Sequence, residues 1–142
     1  MKILLAVDGS KCSLDAVQAL VDHLGWYREA PQVELVTVHL PVPRLPGMGA
    51  AVGKSQLQKY YEEEGEKQLA AARRKLDAAG VPYTPRTLVG SVAETLVKHA
   101  KDTRCDLMYI GTRGHTELGK VLVGSTATKV LHISDIPVLL VK

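Results

Sequence analysis

Five short strand-like runs, separated by stretches of helical periodicity, constrain this chain more than any other feature. The runs are Lys2 to Val7, Val33 to Leu40, Tyr83 to Val89, Asp106 to Ile110 and Pro137 to Val141. The first two are apolar along most of their length instead of alternating, which is the pattern of a strand buried on both faces. Between them, Leu14, Val17, Leu20, Val21 and Leu24 recur at three- and four-residue spacing, with Gly25 as a stop. Ser55 and Gln58 form a capping-box pattern before a long helix whose inner face is Leu57, Tyr61, Leu69, Ala72 and Leu76, ending at Gly80. The box Ser91-x-x-Glu94 opens a third helix with Val92, Leu96, Val97 and Ala100 inward, and Ser125 to Ile133 reads as the last. Strand and helix alternate throughout. This order predicts an α/β fold, an open, Rossmann-like five-stranded parallel sheet with helices on both faces, formed by residues 1–142 as one domain.

Composition narrows the function classes. The chain of 142 residues contains no Phe, so its core must be aliphatic, and its formal charge of +3 comes from basic residues spread along the sequence. Nucleic acid is therefore not an expected partner. The opening apolar run stops at Asp8, too short for a signal peptide, and no stretch approaches the roughly 18 residues of a membrane span. Cys12 and Cys105 stand alone, which fits a reducing cytoplasm. The five histidines show no paired ligand spacing, so no protein metal site is expected. Glu62-Glu63-Glu64 reads as a solvated face.

In open parallel sheets ligands bind beyond the carboxyl ends of the strands, where the winding direction switches. That rule places Asp8, Leu40 and the loop beginning at Gly111 around one crevice. The loop runs Gly111-Thr-Arg-Gly114-His-Thr-Glu-Leu-Gly119-Lys-Val-Leu-Val-Gly124-Ser125-Thr126 and leads into a helix. Glycines admit close backbone approach, and free amides at a helix start attract anions. Hydroxyls of Ser125 and Thr126 can add donors, and Arg113 either clamps phosphate as a planar fork or points into solvent. Ser125 and Thr126 also suit the N-cap, a role that uses the same amides, while Asp8 either meets ligand or caps the first helix or a turn. The loop is not a Walker A motif, because Val121 stands where a magnesium-holding Ser or Thr is required, and Gly47-Met-Gly49 lacks the third glycine of the dinucleotide fingerprint. Pro41 to Lys54, with three prolines and three glycines, reads as a mobile loop able to close over a ligand.

Gly111-x2-Gly114-x9-Gly124-Ser125 resembles the ATP-binding signature of the universal stress protein family, with every spacing matched. The resemblance extends over the chain, through Asp8-Gly-Ser after the first strand, His39-Leu40, Val89-Gly90 and the closing Pro137-Val-Leu-Leu-Val. It implies an adenine nucleotide alpha hydrolase-like sheet and a pocket for ATP, ADP or AMP, with magnesium able to accompany the nucleotide. Ala6, Val7 and Asp8 would lie at the adenosine with Leu40 beside the base, and Gly111, Gly114, Gly124, Ser125 and Thr126 would hold ribose and phosphates. It also implies a homodimer through Pro137 to Val141 and a link to stress. Ala127 departs from the Thr found in some members, which removes one phosphate hydroxyl. No nucleophile, base and orienting residue occur together, which argues against fast catalysis. The alternatives are a slow ATPase or phosphoryl-transfer enzyme using Arg113, Lys120 and magnesium, and a dimeric scaffold that binds no nucleotide.

Overall fold

In a computed structural model, which describes residues 1–43, 53–112 and 123–142, the five strand-like runs pair into one parallel sheet. The elements are β1 (Lys2–Ala6), α1 (Lys11–Asp22), a 3-10 turn (Leu24–Trp26), β2 (Gln32–His39), α2 (Lys54–Ala78), β3 (Tyr83–Val89), α3 (Val92–Asp102), β4 (Leu107–Gly111), α4 (Ser125–Ile133) and β5 (Val138–Val141). The strand order is β3-β2-β1-β4-β5. Winding therefore reverses between β1 and β4, where Ile3 to Leu5 pair with Leu107 to Tyr109.

Alternation along the central strands divides the core in two. Ile3, Leu5 and Leu35 face α1 and α2, meeting Ala16, Val17, Leu20, Leu69, Ala72 and Leu76. Leu4, Ala6 and Val36 face α3 and α4, meeting Leu96, Val97, Ala100 and Val130. Helix α2 lies close to the sheet because Gly65 is small: a Cβ there would fall 2.1 Å from the Thr87 hydroxyl.

Three helix ends show what side-chain pattern alone can miss. Helix α1 ends at His23, whose amide donates to the Ala19 carbonyl at 3.1 Å, so Gly25 falls inside the 3-10 turn and is not the stop. Helix α2 starts at Lys54 on Gly53 as N-cap, whose carbonyl accepts the Gln56 and Leu57 amides; Ser55 is thus already helical, and Gln58 bonds Glu62. Ser91 does cap α3, yet without a side-chain hydrogen bond, and the Glu94 side chain pairs with Lys129 on α4. Gly80 ends α2 as its pattern predicts: at φ +66° it donates to Asp77 while Val81 donates back to Leu76.

One charge is buried in the sheet. Glu34 of β2 is 5% exposed, with Lys2 Nζ at 2.9 Å, His99 Nε2 at 3.2 Å and Arg86 Nε at 3.6 Å. Burial pushes its carboxyl up, but hydrogen bonds and charge from Lys2 and His99 outweigh this and hold it below the ordinary carboxylate range. A depressed carboxyl stabilises the fold above its unfolded pKa and loses that contribution as pH falls through the folded one. Glu34→Gln should accordingly cost about 2 kcal/mol at neutral pH. Chemical denaturation at a series of pH values should show that difference shrinking under acid conditions, where Glu34 is itself neutral. A difference that stays constant with pH would rule this out.

Candidate functional site

The carboxyl ends of β1, β2 and β4 and the start of α4 enclose a crevice of about 510 Å³, within the range of small-molecule sites. Ala6, Val7, Asp8, Leu40, Gly111, Gly124, Ser125 and Thr126 all line it, so eight of the ten residues singled out from sequence come together. The other two, Arg113 and Gly114, lie outside the described residues, as do His115, Lys120 and all but the ends of Pro41 to Lys54.

The two halves of the crevice differ in chemistry. Val36 and Val38 of β2, Val92 and Leu96 of α3, Ile110 of β4 and Leu40 make one side apolar. Val36 and Val38 were legible in principle, because once Leu40 is placed in the crevice the period of two puts them on the same face. Ser13, Thr112, Ser125 and Thr126 line the rest. Thr112 is 7% exposed and ties the N-cap of α4 to the sheet, its amide donating to Val141 at 2.8 Å and its carbonyl accepting the Gly124 amide at 2.6 Å. The Gly124 amide is therefore occupied.

The free donors are those that follow it. Gly124 is the N-cap of α4, and its carbonyl accepts the Thr128 amide at 2.9 Å as the first helical bond. The amides of Ser125, Thr126 and Ala127 consequently have no acceptor among the described residues, and α4 has no side-chain cap. All three residues line the crevice. An oxyanion there would meet converging N–H groups and the positive end of the helix dipole. Ala127 contributes an amide despite lacking a hydroxyl.

At the β1 end, Asp8 lines the crevice and also makes a turn contact. Its Oδ1 accepts the Ser10 amide at 2.9 Å, while Ser10, not Asp8, caps α1 by accepting from the Ser13 amide. The Val7 amide donates to Val36 at 2.9 Å, so what Val7 offers the crevice is surface and not a donor. Gly111 has a different reason to be glycine from the one its motif suggests. A Cβ on it would lie 2.5 Å from the Cys12 carbonyl oxygen, so its smallness brings β4 against α1.

Comparison with known proteins agrees with the fold. A sequence profile of the universal stress protein family matches residues 1–142. Universal stress protein MJ0531 of Methanocaldococcus jannaschii is 31% identical over 99% of this chain and 81% of its own length. The structure of MJ0577, a universal stress protein of the same organism, superposes with a TM-score of 0.79 at 25% identity, over 99% of this chain and 94% of its own. An Arabidopsis thaliana family member solved with AMP bound has a TM-score of 0.71 at 15% identity, over 100% of this chain and 91% of its own.

Proposed function

Because the chain belongs to the universal stress protein family, we propose that it binds an adenine nucleotide, ATP or its di- or monophosphate, in the crevice between β1 and β4. The observation that carries this reading is the set of amides at Ser125, Thr126 and Ala127 that have no acceptor among the described residues, in a crevice that also has an apolar wall. Phosphate would sit on α4, adenosine along Ala6, Val7 and Asp8, and the base against Val36, Val38 and Leu40. AMP in the Arabidopsis relative supports the ligand class. Magnesium would arrive with a polyphosphate. The role is retention of nucleotide as a stress-linked signal in the cytoplasm, with hydrolysis slow or absent, since the sequence offers no nucleophile, base and orienting residue together. Native mass spectrometry of freshly purified protein, with thermal shift in millimolar ATP, tests it. Protein that carries no adenine nucleotide and shows no shift would reject the reading and leave the scaffold.

Edge chemistry favours a homodimer through the last strand. The β3 edge is guarded by Pro85 and by Arg86, whose side chain is 51% exposed, whereas β5 is Val-Leu-Leu-Val with neither charge nor proline. Met108 donates to Pro137 and Thr112 to Val141, so by alternation the Leu140 amide faces away from β4. Leu140→Pro should remove that outward donor and convert a dimer into a monomer with its far-ultraviolet circular dichroism kept. Light scattering that finds the unsubstituted protein monomeric at micromolar concentration would sink the proposal.

A further inference from the structure

The base end of the crevice depends on a residue outside it. Strand β2 ends at His39, whose carbonyl accepts the Gly90 amide at 2.9 Å. Beyond that bond the chain leaves the sheet through Leu40, Pro41, Val42 and Pro43, all exposed. Two of these four residues are prolines and have no N–H. The Val42 amide donates to the Tyr61 hydroxyl at 2.7 Å, and this is the one hydrogen bond recorded for residues 40–43 among the described residues.

Tyr61 is a firm anchor. It lies in the eighth position of α2, is 6% exposed, and its ring stands 6.1 Å from that of His39. Leu40 is not firm by itself. It lines the crevice while 68% exposed, so little packing holds it in place. The link between the two is stiff, because Pro41 has a fixed φ and confines Leu40 before it to extended backbone. Holding Val42 therefore holds Leu40.

We infer that Tyr61 is a positioning residue for the base end of the nucleotide site, its hydroxyl fixing Val42 and, through Pro41, placing Leu40 against the adenine ring. This rests on the nucleotide reading and adds to it a residue that never touches the ligand. Tyr61→Phe keeps the ring and removes only the hydroxyl. Calorimetric titration of the nucleotide-free full chain with AMP and with ribose 5-phosphate, which has no base, separates positioning from a general loosening of the fold. Tyr61→Phe should raise the Kd for AMP about fivefold, as for one ordinary hydrogen bond lost, and leave that for ribose 5-phosphate unchanged. In a Leu40→Ala background the same substitution should have no further effect on AMP, because the side chain it positions is gone. An unchanged AMP affinity, equal weakening of both ligands, or a full effect in the Leu40→Ala background would each overturn the inference. Unsubstituted protein that binds neither ligand would instead remove the nucleotide reading and this inference with it.

Discussion

Gly111→Ala is expected to lower the melting temperature by about 10 °C. The added Cβ would lie 2.5 Å from the Cys12 carbonyl oxygen, 2.7 Å from its carbon and 3.1 Å from the Ser13 nitrogen. All three atoms belong to the backbone of the first turn of α1, so no rotamer change relieves the contact. Strand and helix must separate. Overpacking of this kind costs on the order of 3 kcal/mol, which in a chain of this size corresponds to the shift given. Gly25→Ala is the control, since a Cβ there has nothing within 4 Å. Differential scanning calorimetry should show that control within about 2 °C of the unsubstituted protein. A Gly111→Ala variant that melted with it would mean that β4 and α1 can separate freely, and glycine at 111 would then need the ligand-based explanation of its motif.

The second large effect should come from Thr126→Asp, and its two consequences have opposite signs. Thr126 is the second residue of α4 and lines the crevice. A carboxylate at that position favours the helix dipole, so the nucleotide-free protein should gain about 0.5 kcal/mol. The same charge would stand where phosphate is proposed to bind. Unit charges about 4 Å apart repel by about 4 kcal/mol at an effective dielectric near 20. Screening at a half-buried site reduces this, and a Kd raised on the order of a hundredfold is expected. Thr126→Val, which keeps the amides and removes only the hydroxyl, should weaken binding about fivefold. Equilibrium denaturation and calorimetric titration of the same preparations read both signs. A Thr126→Asp variant that is stabilised yet binds ATP at full affinity would move the phosphate away from α4.

These two substitutions mark the boundary between what residues announce and what packing decides. The sheet was legible because strand and helix signals alternate along the chain, and the first two strands, apolar along most of their length, suit burial on both faces of a parallel sheet covered by helices. Asp8, Leu40 and Gly111 could be placed together because chain order puts all three at the carboxyl ends of strands in a sheet whose winding reverses. Helix ends were less legible. His23 closes α1 through backbone geometry that Gly25 appeared to promise, and Gly53 displaces Ser55 from the cap of α2, because helix ends are settled by which carbonyls and amides find partners.

The sequence by itself determined the class of fold and its strand and helix faces, since both follow from periodicity and chain order. Only the tertiary structure decided the purpose of individual residues. Gly111 is small because α1 crosses it, Gly65 because Thr87 lies under α2, and the Gly124 amide is already bonded while the next three have no acceptor among the described residues. Glu34 can stay charged inside β2 because Lys2, Arg86 and His99, distant in sequence, converge on it. The physical reason is the same in each case. Periodicity is a property of neighbours along the chain, whereas close approach and hydrogen-bond satisfaction belong to groups that meet only after the chain has folded.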